Sequence, residues 1–183
     1  MNEKKFFLTP NEFSVISAGF GLSMVYGLNQ IDGRMDTKEI CLALHNMYVN
    51  NLIENQDSKQ FITDPDITEM MRQIKSSHFF VRIEGVIGNA ECTFCIYPGE
   101  SCTVIEENQS NANKVIMYMS DIQKVFDMIV KGSAGKKLNV SCMSATNGRV
   151  IGEETLAEDA DKDSRLAVLK KCYTLATPME VEK

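Results

Sequence analysis

Two cysteines in a C-x-x-C arrangement, Cys92 and Cys95, have the spacing most suggestive of chemistry. Such a pair can bind zinc or act as a redox couple. Zinc would need two further ligands, and the two histidines, His45 and His78, are each isolated in the sequence. The segment 90–97 alternates like a β-strand, in which residues three apart point to opposite faces. We therefore expect reduced, packed thiols and no metal or cofactor.

Other candidates for catalysis lack the partners that their chemistry requires. His45 lies in the middle of a predicted helix, and His78 follows Ser76 and Ser77 at a junction where local capping bonds are expected. The glycine-rich segment 132–137 follows a helix, whereas a phosphate-binding loop joins a strand to a helix. The aspartates within 159–163 lack the glycine and terminal glutamate of a calcium loop. We predict that the chain is not an enzyme.

Composition and charge favour a globular protein that does not bind nucleic acid. The 183 residues are 44% hydrophobic and 24% charged, and the net charge is −6. Segment 37–75 has four basic and six acidic residues, so it offers no positive patch for a nucleic acid. No apolar run approaches the roughly 18 residues of a membrane span. No signal-peptide core precedes Pro10, and we expect a cytoplasmic protein with no membrane contact.

The first half of the chain, 1–76, is predicted to be mainly helical. Capping boxes begin helices at Thr9 and Asp36, and Asp64 followed by Pro65 begins a third. Gly19, Gly21 and Gly27 weaken the first of these helices, so the stretch to Tyr26 is expected to be one helix, a broken helix or two helices. Segment 60–63 suits a short strand, and 30–34 suits a loop.

The second half, 77–183, changes to the alternation that is typical of strands. Segments 79–86, 91–97, 102–106 and 114–119 predict an antiparallel meander, and Ser120 to Gln123 predicts another capping box. Two possible strands at 137–143 and 149–151 follow, joined by a turn at 146–148. Acidic residues 153–163 then precede a helix at 164–174 and a frayed tail at 178–183. The prediction is one α+β domain over 1–183, an antiparallel β-sheet packed with helices.

The segment between Asp36 and Ile74 has the element order of a winged-helix module, with a wing running from Leu52 to Ile62. Its recognition helix would be 37–53, whose bases are Lys38 and, if protonated, His45. Such a module would pack against protein more readily than enter a major groove.

Several short patches together resemble the EspG-like family of chaperones associated with ESX (type VII) secretion. The patches are 8–13 (LTPNEF), 19–22 (GFGL) and 51–54 (NLIE), followed by 66–74 and then the antiparallel meander. The resemblance implies a mixed α/β fold with a central antiparallel sheet. It also implies cytoplasmic binding of a helical secretion substrate without catalysis. No family motif identifies contact residues in this chain.

Three functions remain open: a chaperone or adaptor for a type VII secretion substrate, a winged-helix-type regulator, and an immunity protein that neutralises a toxin. For a binding protein, we predict that the partner surface includes three residues of segment 91–97 beside the turn at 98–99. The three residues are Phe94, Ile96 and Tyr97, and we expect them to provide apolar anchors. For Phe94 and Ile96, burial beneath the helices is the competing expectation. Met117 and Met119 share one strand face, where core packing is favoured over partner binding.

Overall fold

Seven antiparallel strands form one sheet, and helices cover both of its faces. The computed structural model describes residues 3–28, 35–57, 60–108 and 114–177; for 55–57 and 60 it describes the backbone alone. The predicted loop at 30–34 and the predicted tail at 178–183 lie outside the described residues. The described helices are α1 (Pro10–Gly19), α2 (Thr37–Val49), α3 (Pro65–Ser76), α4 (Ile122–Gly132) and α5 (Lys162–Ala176).

The large sheet has the strand order β1-β7-β6-β5-β4-β8-β9, and a separate hairpin pairs β2 with β3. The strands are β1 (Lys5–Leu8), β2 (Ile53–Asp57), β3 (Gln60–Thr63), β4 (Phe79–Ile87), β5 (Ala90–Tyr97), β6 (Cys102–Asn108), β7 (Val115–Ser120), β8 (Leu138–Ser144) and β9 (Val150–Leu156). The α+β class and the predicted meander, here β4 to β7, are confirmed. The two later strands continue the same sheet, because β8 pairs with β4.

Each face of the sheet has its own hydrophobic core. On one face, α4 and α5 pack over apolar side chains of β4, β5, β6, β7 and β8. The Phe126 and Tyr173 rings join these helices edge to face, with centroids 5.8 Å apart. On the other face lie α1, α3 and residues including Met47 of α2. Both faces of the central strands are therefore buried.

The capping signals locate the helix starts closely, with one correction. Thr9 and Asp36 both form capping boxes, in which Glu12 and Glu39 complete the reciprocal bonds. At α4 the cap is Asp121, whose carboxylate accepts from the N–H groups of Gln123 and Lys124. The predicted cap, Ser120, instead ends β7 and donates to a Glu3 carboxylate oxygen.

Three other element boundaries differ from the sequence predictions. The N-terminal residues of the described chain include β1, which pairs with β7. Helix α1 ends at Gly19, well before Tyr26. Strand β9 continues through the acidic residues to Leu156, and α5 begins at Lys162. Strand β1 is stabilised by pairing with the distant β7, which leaves little local signal, and the end of β9 is extended by its pairing with β8.

Between 36 and 74 the order helix, short strand, helix is present as α2, β3 and α3, but α2 ends at Val49 and not at 53, and Ile53–Asp57 forms a further strand, β2, that pairs with β3. Helix α3 buries its apolar side against the large sheet through Ile67, Met70, Met71 and Ile74. Helix α2 packs mainly against α1 and the hairpin instead. It therefore lies farther from the sheet than the other helices and leaves more of its surface uncovered.

Candidate functional site

The three predicted partner residues lie inside the protein. Phe94 and Ile96 belong to the core beneath α4 and α5, as the competing expectation had it. Tyr97 points to the other face and stacks on Phe80, with ring centroids 5.1 Å apart. Because β5 is a central strand covered on both faces, none of the three side chains is accessible to a partner. The predicted partner surface on β5 is therefore wrong for this fold.

The C-x-x-C pair is divided between the two cores, as its position in a strand predicts. Cys92 lies in the core beneath α4 and α5, whereas Cys95 lies in the opposite one. Burial raises the pKa of both thiols. Raised pKa values disfavour the thiolate that redox exchange or metal binding needs. Within the described residues, no group of three or more His, Cys, Asp or Glu side chains is placed to hold a metal ion.

The glycine-rich segment 132–137 is fixed by bonds that keep the fold together. The Lys136 side chain donates to the Gly88 carbonyl, and the Lys136 carbonyl accepts from Arg165 at 2.8 Å. Nearby, Asp161 caps α5 by accepting from the Ser164 N–H at 2.7 Å, which lowers the pKa of the Asp161 carboxyl. These residues therefore make contacts that hold the fold together.

The two histidines are also separate in space. His45 lies on the exposed side of α2, and His78 is exposed at the start of β4. The hydroxyls of Ser76 and Ser77 donate to the Gln73 carbonyl, at 3.2 and 2.8 Å. Local capping is thus the role of the two serines, as predicted.

Exposed apolar side chains are concentrated on α2 and β3. Of the thirteen large hydrophobic side chains that are exposed in the described part of the chain, these two elements hold six. We refer to these six residues as the α2 surface: Ile40, Leu42, Tyr48, Val49, Phe61 and Ile62. Exposed apolar side chains that form a contiguous patch typically mark a binding site.

Helix α2 exposes apolar residues because its sequence is apolar around most of its circumference. Ala43 and Met47 are buried, and they mark the side that faces the protein. Leu42 and Val49, on the opposite side, are 58% and 61% exposed. An amphipathic surface helix would carry polar residues at such positions. The sequence of α2 contains more apolar residues than one buried face requires. This excess is visible in the sequence and indicates an exposed apolar surface.

An apolar groove adjoins the α2 surface. It has a volume of about 410 Å³ and lies between α1, α2 and the hairpin. Phe61 of β3 lines the groove and is also one of the six residues of the α2 surface, whereas Leu42 and Val49 lie on the side of α2 opposite the groove residue Met47. The residues that line the groove are Val15, Ile16, Gly19, Phe20, Leu44, Met47, Ile53, Phe61 and Thr63.

The α2 side of the groove carries few charges, and Lys75 of α3 donates to the carbonyl of the groove residue Phe20. Between Asp36 and Glu54, the basic residue is Lys38 and the remaining acid is Glu39. Asp36 and Glu39 are engaged in the capping box at the start of α2. This region therefore offers apolar contact area with little electrostatic selectivity, which suits an apolar protein segment better than a charged ligand.

No helix among the described residues is long and apolar enough to span a bilayer. No protein-family model and no curated protein matches the sequence.

Proposed function

We propose that this chain is a non-catalytic protein-binding module, a chaperone or adaptor that shields an apolar helix of a partner protein. The observation that carries the proposal is the concentration of exposed apolar side chains on α2 and β3, beside an apolar groove. An amphipathic helix placed in such a groove buries its apolar face and leaves its polar face in solvent. The resemblance to EspG-like chaperones suggests the class of partner, a helical substrate of type VII secretion.

The acidic charge balance and the character of α2 favour this proposal over a DNA-binding regulator. In a winged-helix module α2 would enter the major groove, where lysine and arginine contact phosphates. This helix instead presents Leu42 and Val49, and its basic side chains are Lys38 and, if protonated, His45. An immunity protein would use an interface of the same physical kind, and the identity of the partner distinguishes it from a chaperone.

The test is an affinity pull-down from lysate of the native host, read by mass spectrometry. Three baits are compared: the wild type, the double variant Leu42→Asp/Phe61→Asp, which changes one exposed α2 residue and one groove residue, and the control Met128→Asp. Met128 is an exposed apolar residue on α4, away from the α2 surface. A charged side chain at an apolar contact leaves a desolvated carboxylate unpaired, so we expect the double variant to reduce capture about tenfold or more.

Support requires that one secreted helical protein is recovered near stoichiometry with the wild type and the control, and that it binds again when purified. Equal capture of that protein by all three baits would contradict the proposal. A toxin as the captured partner would favour the immunity function. A DNA shift without a protein partner, measured in parallel, would favour the regulator.

A further inference from the structure

Strand β9 forms one edge of the large sheet, and its outer side is unpaired among the described residues. Its pairing with β8 is irregular at Ile151 and regular from Gly152 to Leu156. The opposite edge, β1, is only four residues long. An edge strand presents unpaired N–H and C=O groups to which another extended chain can bind. The longer β9 therefore offers the better backbone template.

The side of β9 that faces α5 has a small apolar notch. Gly152 has no side chain, and a Cβ added there would lie 3.6 Å from Leu175 Cδ1 of α5. Leu175 is 51% exposed, so its side chain has free apolar surface. Two residues farther along, Glu154 accepts from Lys171 at 2.5 Å. This side can receive an apolar residue of an added strand next to Leu175.

The other side of β9 is open and carries one acidic residue, Glu153. Glu153 and Thr155 are exposed, and the Thr155 hydroxyl donates to Asn139 Oδ1 at 3.1 Å. The segment 150–163 contains six acidic residues and one basic residue, Lys162. A basic side chain on an adjacent strand would lie beside the Glu153 carboxylate, where opposite charges attract.

We propose that the free edge of β9 binds an extended segment of a partner protein in which basic and apolar residues alternate. Main-chain hydrogen bonds would add this segment as an eighth strand, with its apolar residues toward Leu175 and its basic residues toward Glu153. A second copy of β9 is a poorer occupant, because it has no basic residue between Val150 and Leu156 to pair with Glu153. This inference concerns a surface separate from the α2 surface and is independent of the proposed function.

The probe is a fluorophore-labelled nine-residue peptide in which lysine and valine alternate, with glutamate replacing lysine in the control peptide. Binding is measured by fluorescence anisotropy at physiological salt. We expect Glu153→Lys to weaken binding about fivefold or more, because it turns an attraction between neighbouring strands into a repulsion. The matched control is Asp159→Lys, which makes the same charge change at an exposed position beyond the strand; we expect it to weaken binding less than about twofold.

Hydrogen exchange on the same samples distinguishes strand addition from general charge attraction. We expect the lysine–valine peptide to slow hydrogen exchange within 152–156 and to leave exchange within 37–49 unchanged. Equal weakening by the two variants, or binding without protection of β9, would overturn the proposal. Failure of the peptide to bind would also overturn the proposal. The acidic residues near β9 would then serve to protect the edge strand against aggregation. Self-association of the chain, with β9 protected from hydrogen exchange, would overturn the proposal. It would show that a second copy of the chain binds the edge of β9.

Discussion

Arg165 is a cation that is 2% exposed, and its hydrogen bonds organise the region between α4 and α5. Its guanidinium donates to the carbonyls of Ala157 and Ala160, at 2.8 and 3.0 Å, and to those of Lys136 and Glu158. A buried carbonyl that loses its donor pays a desolvation cost. The planar guanidinium fork satisfies several carbonyls at once, which a single ammonium group cannot do.

We expect Arg165→Met to lower the free energy of unfolding by about 3 kcal/mol or more, because it leaves several carbonyls without their donor. The control is Arg72→Met on α3, where the arginine is exposed and lies 3.7 Å from Glu69. An exposed pair contributes little, so this change should stay within about 0.5 kcal/mol. Urea denaturation of both variants provides the comparison, and similar losses would contradict the role of Arg165.

At the scale of elements, local signals predicted helix starts better than they predicted which surfaces are exposed. The Thr9 capping box is present in full, with the Glu12 N–H donating to Thr9 Oγ1 at 3.2 Å and the Thr9 N–H donating to Glu12 Oε2 at 2.7 Å. These bonds join residues three apart, so they are readable in the sequence. The exposure of Leu42 depends on which neighbours pack against α2, and no local pattern specifies that.

Helix α4 provides a quantitative test of the corrected cap. We expect Asp121→Ala to lower the free energy of unfolding by about 1 kcal/mol, because two backbone N–H groups lose their acceptor. Asp121→Asn retains an oxygen acceptor and should remain within about 0.5 kcal/mol of the wild type. Thermal and urea unfolding of the two variants measure the difference. Equal stability of the alanine and asparagine variants would exclude Asp121 as the cap.

At the scale of the whole molecule, the α+β class and the central meander could be predicted because hairpins join neighbouring segments. The edge strand β1 could not, because it pairs with β7 more than a hundred residues away. The partner surface predicted at Phe94, Ile96 and Tyr97 fails for a related reason. Alternating apolar residues indicate a buried face, but only the assembled fold places helices over both faces of β5.

Neighbouring phenylalanines in β1 test this arrangement. Phe6 is buried against the core that contains Met117, whereas Phe7 is 58% exposed. We expect Phe6→Ala to cost about 3 kcal/mol of unfolding free energy through lost burial and an unfilled cavity. Phe7→Ala should change stability by no more than about 0.5 kcal/mol. If the two variants lost the same stability in urea denaturation, β1 would not have the orientation described here.

The central claim, that α2 binds a protein partner, is tested most directly by photo-crosslinking in the native host. A p-benzoylphenylalanine is placed at Leu42, at Val49, or at the control position Met128. We expect both α2 positions to crosslink to the same helical protein and the α4 position to yield no such product. Equal crosslinking from all three positions, or none from α2 while the partner is still captured, would contradict the account.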